Sequence, residues 1–301
     1  MNKLISISSI TKDYGDNRGN FDISLDVYEN DIVGIMGENG AGKTTLIRQI
    51  MGFVKPDSGT IKICGYDAYK DSATCKKFIG YVPGEINFPD VKDGNTFLHE
   101  YGSKLGVSDF TYSNSIIKRL QLDITAYPKR MSKGMKQKTA IVSALMLQAS
   151  IVILDEPTTG LDPLMREEFL KIISEQKEKG TTVVMTSNTI EELEKVCTKI
   201  CFMSKGKLLF TANKDDIYSI PLKDYEVTLF DKDDYKELIK NKDYRIVKNN
   251  EDKKAIRFRI NIDKTKNFLN MISKYKIKYL NIYPYNLSSF FEDKMEEIQL
   301  N

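Results

Sequence analysis

The 301-residue chain contains no tryptophan and a single histidine, His99. That scarcity excludes Ser-His-Asp hydrolases, Cys-His proteases and histidine-based zinc sites unless His99 itself serves, and its setting, Phe97-Leu-His-Glu-Tyr101, reads as an ordinary amphipathic helix. The four cysteines, Cys64, Cys75, Cys197 and Cys201, form no C-x-x-C pair, and the last two lack histidine partners, so free reduced thiols are expected. No run reaches the roughly 18 apolar residues that a membrane span needs; the longest, Ala140 to Leu154, is broken by Ser143, Gln148 and Ser150. The opening residues, Met1 to Ser6, hold neither an apolar h-region nor a cleavage site, so no secretory signal and a cytoplasmic location are expected. Repeats and sustained heptads are also lacking. With 41% hydrophobic and 29% charged residues, the composition is that of a globular protein with room for one large core and a smaller domain.

What is present is organised around Gly37 to Thr45, Gly-Glu-Asn-Gly-Ala-Gly-Lys-Thr-Thr, which fits G-x-x-x-x-G-K-[ST]. The apolar run Asp31-Ile-Val-Gly-Ile-Met36 before it predicts a buried strand, and Lys43 to Met51 after it a helix, as a P-loop requires. Gly37, Gly40 and Gly42 permit the backbone to close its N–H groups around an anion at a positively polarised helix N-terminus. Glu38, Asn39, Ala41 and Thr45 complete the loop. Lys43 is expected to reach the β- and γ-phosphates of a nucleotide, and the Thr44 hydroxyl to ligate Mg²⁺.

The segments Leu4 to Ile10 and Phe21 to Val27 alternate apolar and polar residues, which predicts two antiparallel strands paired beside the P-loop strand. Short strands follow at Thr60 to Cys64 and Phe78 to Val82. From about 91 to 148 the pattern is helical, including Thr96 to Leu105 and Tyr112 to Leu122. The wholly apolar Ile151 to Leu154 reads as a strand buried on both faces of a parallel sheet. A helix from Pro163 to a cap at Gly180 carries an expected i,i+4 pair between Glu175 and Lys179. Thr181 to Thr186 (strand), Ile190 to Val196 (helix) and a hairpin turning at Lys205-Gly206 complete residues 1–219. Residues 220–301 read βαββαβ plus a last helix, a ferredoxin-like order. The net charge of +3 lies wholly in this second part, and residues 244–280 hold 11 basic against 3 acidic side chains.

Three further runs follow the P-loop: Met131-Ser-Lys-Gly-Met-Lys-Gln137, Ile151-Val-Ile-Leu-Asp-Glu156 and Thr159-Gly-Leu-Asp162. With these in this order, residues 1–210 resemble the ATP-binding subunit of an ABC transporter. The resemblance implies an α/β fold, a P-loop NTPase cassette over 1–219 with an antiparallel β subdomain and a helical insertion at about 91–148. The small α+β domain over 220–301 follows it. It further implies that Asp155 holds Mg²⁺, that Glu156 polarises the attacking water, and that Tyr14 stacks on adenine. Ser132, Lys133 and Gly134, the signature, would contact the γ-phosphate of ATP bound by a second subunit, with Asp162 at that interface. A metal carboxylate and a base one residue apart suit phosphoryl transfer, which needs positioning and charge neutralisation above all.

Within the signature, Lys133 stands where the family usually has a second glycine and Met135 where it has glutamine, and the sequence departs from the family pattern at two further places. The usual glutamine after the strand at 78–82 falls on Gly84, leaving neighbouring Glu85 as a candidate metal contact, and the switch histidine falls on Asn188. Asparagine can donate a hydrogen bond to phosphate but relays no proton, so slow turnover is expected. The implied cofactors are ATP and Mg²⁺. The implied partners are a second cassette, in a homodimer, and a separate transmembrane subunit that brings the protein to the inner face of the membrane. Rival readings are a nucleotide-gated interaction module with little hydrolysis and a soluble ABC protein acting on nucleic acid. The latter is disfavoured by one cassette without a coiled coil and by Ala255 to Ile262, which lacks the Gly-aromatic spacing of RNA-stacking strands. The basic C-terminal stretch could contact anionic lipid.

Overall fold

The structure is a computed structural model that describes residues 2–300; Met1 and Asn301, the outer ends of the two expected domains, lie outside the described residues. The chain divides into two compact units, Met1–Asn213 and Lys214–Asn301.

In the first unit the strands are β1 (Lys3–Asp13), β2 (Gly19–Tyr28), β3 (Ile32–Met36), β4 (Ser58–Ile63), β5 (Tyr66–Asp67), β6 (Ile79–Val82), β7 (Ile151–Leu154), β8 (Thr182–Ser187), β9 (Lys199–Ser204) and β10 (Lys207–Asn213). The helices are α1 (Lys43–Ile50), α2 (Ser72–Cys75), α3 (Gly94–Lys104), α4 (Thr111–Arg119), α5 (Lys133–Leu145), α6 (Pro163–Glu178) and α7 (Ile190–Val196). A six-stranded sheet in the order β10-β9-β3-β8-β7-β6 forms the centre, with β3 parallel to both β8 and β9. The apolar runs of β3, β7 and β8 are buried along their length because sheet neighbours and helices cover both faces.

One expectation is corrected here. Strands β1 and β2 pair antiparallel with each other, but in a separate four-stranded sheet ordered β2-β1-β4-β5, and the neighbours of the P-loop strand are β8 and β9. The alternation marks two strands that do pair with each other, but not beside β3. A strand with one apolar face needs a layer to cover it rather than an edge to join, and Ile5, Ile7, Ile23 and Leu25 pack into one core with Leu46 and Ile47 of α1 and Val33 and Ile35 of β3.

Helices α3, α4 and α5 lie between parallel neighbours β6 and β7 in sequence. Helix α5 packs directly on the sheet, where a Cβ at Gly80 would sit 2.3 Å from the Ala144 carbonyl oxygen. The expected Glu175–Lys179 pair is also replaced. Glu175 makes a two-pronged bond to Arg119 of α4 (2.6 and 2.8 Å), Arg119 bonds Glu168 as well (2.6 Å), and the Lys179 ammonium sits 3.8 Å over the Tyr112 ring. A planar guanidinium satisfies two carboxylates at once, which a flexible i,i+4 lysine does not. His99 packs against Phe110 with ring centroids 4.2 Å apart and planes tilted by 37°, a packing role.

The second unit runs α8 (Lys214–Tyr218), β11 (Leu222–Leu229), α9 (Lys232–Leu238), β12 (Arg245–Asn250), β13 (Ala255–Asn261), α10 (Thr265–Ile272), β14 (Ile277–Pro284) and α11 (Leu287–Leu300). Its antiparallel sheet has the order β12-β13-β11-β14. Tyr225, Val227, Phe258 and Phe268 anchor its core. Much of the basic stretch is neutralised locally: Arg245, Arg257, Arg259, Lys274 and Lys276 each bridge to a carboxylate of the same unit.

Candidate functional site

The P-loop leaves β3 and enters α1 as expected, with Gly42 at the helix N-cap in a left-handed conformation (φ 99°). A side chain there would also collide with the amide of Asn20, 2.3 Å from a Cβ. Asn20 is fully buried; with its nitrogen facing the loop it donates to the carbonyl oxygens of Gly19 (2.9 Å) and Gly42 (3.1 Å) and accepts from the Leu46 amide (3.0 Å). The loop is thus held from below, and the turn between β9 and β10 holds it from the side, where the Gly206 amide donates to Ala41 (3.0 Å).

The loop bounds a cavity of about 320 Å³ that residues Asn39 to Thr45 share with Tyr14, Arg18, Glu156 and Lys205. Tyr14, half exposed at its rim, therefore stands where an aromatic ring can meet a planar ligand. Arg18 and Lys205 went unrecognised in the sequence, because both lie on turns remote from any motif. The Lys43 ammonium donates to the carbonyl oxygens of Gly37 (2.6 Å) and Glu38 (3.0 Å) and lies 3.9 Å from Glu156. Burial holds this ammonium below its ordinary pKa, against the opposing attraction of Glu156 and Asp155.

Asp155 and Glu156 follow β7 directly. Asp155 is wholly buried; its Oδ1 accepts from the Thr186 hydroxyl (2.8 Å), whereas its Oδ2 has no hydrogen-bond partner among the described residues. A buried carboxylate oxygen without a donor is costly unless a cation or water completes it, so Asp155 fits a ligand of a hard divalent ion; Thr44, the other expected ligand, lines the P-loop cavity. Glu156 adopts φ 49°, a left-handed conformation that costs about 1–2 kcal/mol in a residue with a Cβ. Its backbone N–H donates to the same Thr186 hydroxyl (2.8 Å), so one side chain on β8 organises both acids. In the sequence Thr186 shows only as the end of a strand. Replacing Thr186 by valine, equal in shape but unable to bond either acid, is expected to lower ATPase activity about 10- to 100-fold by loosening both carboxylates. Circular dichroism should show the fold intact while phosphate release falls.

Gly84 packs against Asp155: a Cβ there would sit 3.0 Å from its Oδ2. Glu85, the candidate metal contact, lines a separate groove of about 480 Å³ with Lys133, Lys136 and Gln137, which shares no lining residue with the P-loop cavity. Asn188 is exposed, accepts from the Thr189 hydroxyl (3.1 Å) and does not line the P-loop cavity.

The signature residues stand apart from the P-loop cavity. Ser132 caps α5 by accepting from the Met135 amide (3.2 Å), and Asp162 caps α6 by accepting from Met165 (3.0 Å). A Cβ on Gly134 would lie 2.7 Å from the Gly160 carbonyl oxygen, and Lys133 packs over Gly160 in turn. The signature helix and the Thr159 to Asp162 loop therefore meet backbone to backbone. Ser132, Gly134 and Asp162 together form a second face rather than part of the first.

Comparison with known proteins agrees with this geometry. The profile of the family described as "ABC transporter" matches residues 21–159, a span that holds the P-loop, the signature and the acid pair. The chain is 33% identical over 221 residues to the linearmycin resistance ATP-binding protein LnrL of Bacillus subtilis, covering 72% of this chain and 71% of LnrL. It is 32% identical over 212 residues to the bacitracin transport ATP-binding protein BcrA of Bacillus licheniformis, covering 69% of each. Among solved structures, an ATP-binding subunit of an ABC transporter superposes with a TM-score of 0.65 at 28% identity, over 71% of this chain and 91% of that one. A dimeric ATP-binding cassette in a post-hydrolysis state with ADP and phosphate shares the fold, with a TM-score of 0.62 at 22% identity over 70% of this chain and 98% of that one. With a relative 33% identical over 72% of its length and the family profile spanning its P-loop, signature and acid pair, the chain belongs to the ATP-binding subunits of ABC transporters.

Proposed function

We propose that this subunit binds Mg-ATP in the P-loop cavity, hydrolyses it with Glu156 as the base, and drives a separate membrane-spanning subunit by closing onto a second copy. The observation that carries this reading is the approach of Glu156 to Lys43 at the cavity, beside the unpartnered Asp155 Oδ2. Lys43 exchanges its bonds to the Gly37 and Glu38 carbonyl oxygens for phosphate oxygens, and the loop amides and the N-terminus of α1 hold the same anion. Mg²⁺, held by Thr44 and Asp155, supplies charge neutralisation at the phosphates. Glu156, fixed through its amide to Thr186, orients a water and takes its proton. Ser132, Lys133 and Gly134 meet the nucleotide of the other copy, with Asp162 beside them. That assignment is supported by their placement on a separate face.

A groove of about 700 Å³ on the cassette combines Phe53, Tyr81, Tyr101 and Leu105 with the ammonium groups of Lys76 and Lys104. We assign it to the membrane subunit, as the seat of an amphipathic helix with an acidic flank, and place the protein peripherally at the cytoplasmic membrane face. The names of the relatives LnrL (linearmycin resistance) and the Nod factor export ATP-binding protein I of Paraburkholderia xenovorans support outward transport. Co-purification from membranes tests the assignment: wild type should retain one transmembrane polypeptide, and Lys76→Glu with Lys104→Glu should lose it. Retention by the double variant would place the contact elsewhere.

The second reading, a nucleotide-gated module with little hydrolysis, is favoured by Gly84, which has no side chain, and by Asn188, whose side chain bonds Thr189 outside the cavity. Within the first reading these two features predict slow turnover. Asn188→His should raise phosphate release by about tenfold, since an imidazole adds a group able to contact the γ-phosphate and transfer a proton. An unchanged or lower rate would remove Asn188 as the cause.

A further inference from the structure

Strand β14 is an unguarded sheet edge. It ends the order β12-β13-β11-β14, and every residue from Lys278 to Pro284 is exposed, with Tyr279 at 59% and Ile282 at 53%. The opposite edge, β12, is blunted in the usual ways: it carries Arg245 and Lys248, and its pairing is interrupted by a register shift between Ile246 and Lys248. Between Tyr279 and Tyr283, β14 has no charge, proline or bulge to discourage a further strand.

The sequence at this edge is symmetric: Tyr279-Leu280-Asn281-Ile282-Tyr283 reads aromatic, aliphatic, amide, aliphatic, aromatic from either end. Two antiparallel strands related by a two-fold axis normal to the sheet keep each residue on its own face, so the register must pair residues of equal parity. With the axis at Asn281, Tyr279 opposes Tyr283 of the second copy, Leu280 opposes its Ile282, and the two Asn281 amides meet at the axis. The pairs also suit their faces. Leu280 and Ile282 lie opposite Val227 and Tyr225 on the face that carries the core, while Tyr279 and Tyr283 lie opposite Thr228 and Asp224 on the other. The one cation of the strand, Lys278, falls opposite Pro284, so no like charges confront each other. Tyr283 is already oriented by Arg257, whose guanidinium lies 4.5 Å over its ring and is bonded to Glu226 (2.7 Å).

We infer that β14 pairs with β14 of a second copy of this chain, joining two four-stranded sheets into one of eight strands. Aromatic and aliphatic cross-strand pairs supply the attraction, and the backbone N–H and C=O groups of the exposed edge supply register. The contact requires no nucleotide and uses none of the cassette residues, so it would hold two copies together before ATP closes the cassettes.

The full chain in nucleotide-free buffer with a chelator tests this apart from any ATP-dependent closure. Sedimentation equilibrium should show a reversible dimer at micromolar concentration. Ile282→Glu, at an exposed position, should raise the dimer Kd at least about tenfold by setting a carboxylate against Leu280. Leu280→Lys added to it should restore association through two ion pairs across the axis. Asn281→Cys should cross-link under mild oxidation, since directly opposed residues of antiparallel strands have Cα atoms about 4.5–5.5 Å apart, within disulfide range. Lys248→Cys, on the other edge, should not. A monomeric wild type, a dimer indifferent to Ile282→Glu, or equal cross-linking at Lys248→Cys would each overturn the inference.

Discussion

Glu156→Gln is expected to reduce phosphate release by about 10²- to 10⁴-fold, the usual contribution of a positioned general base, while leaving ATP capture intact. The amide has the shape of the carboxylate and keeps the backbone bond to Thr186, but it accepts no proton from the attacking water. Lys43 and the P-loop amides are untouched, so binding persists. The carboxylate that opposes desolvation of the Lys43 ammonium is removed, and the γ-phosphate takes over that role. ATP should therefore accumulate in a closed dimer that does not reopen. Phosphate release measured under single-turnover conditions, together with nucleotide-dependent gel filtration, reads both halves of this result. Activity that survives the substitution would place the base elsewhere and return the choice to the interaction module.

The second large effect lies in the C-terminal unit. Arg259 and Asp224 are side chains with 2% and 4% exposure, joined by two bonds of 2.8 and 2.9 Å, and Arg259 extends the network to Glu292 and Asp293 on α11. Arg259→Met fills similar space and leaves Asp224 buried with only the Ser289 hydroxyl at 3.5 Å. Removing one partner of a buried ion pair costs about 3–5 kcal/mol, because the remaining charge keeps its desolvation penalty and loses its compensation. Urea unfolding should show the C-terminal transition shifted to lower denaturant by that amount. The cassette transition should stay in place. Adding Asp224→Leu should recover most of the loss, since an apolar pair has no charge to strand. Equal stability of Arg259→Met and wild type would mean that water reaches Asp224.

The chemistry of the cassette was legible where it depends on contiguous residues. A P-loop is a local device: three glycines, a lysine and a threonine at fixed spacing, between an apolar run and a helix, determine the cradle without help from the rest of the chain. Strand β7 was legible for the same reason, because four consecutive apolar residues ending in two acids have few other uses. The antiparallel alternation of β1 and β2 was visible too, but not their sheet, since period-2 patterning reports that one face is covered and not by what.

Contacts made across the fold were hidden. Thr186 stands 30 residues after Glu156 and resembles any strand threonine until β8 is set beside β7. Arg119 took Glu175 from Lys179 because packing brought a better-shaped donor to it from another helix. Arg18 and Lys205 line the nucleotide cavity only because two turns converge on the P-loop. Glu85 lines, together with Gly84, a groove that shares no lining residue with the P-loop cavity.

The sequence by itself determined the family, the phosphate cradle and the two acids, because each is a matter of residue type and spacing along a short stretch. Only the tertiary structure decided which threonine aligns the acids, that Asp155 keeps one buried oxygen without a hydrogen-bond partner among the described residues, that the signature stands apart from the P-loop, and that β14 is an edge. Those facts are set by which segments the core brings together, and burial energy is indifferent to the distance along the chain between the residues it joins.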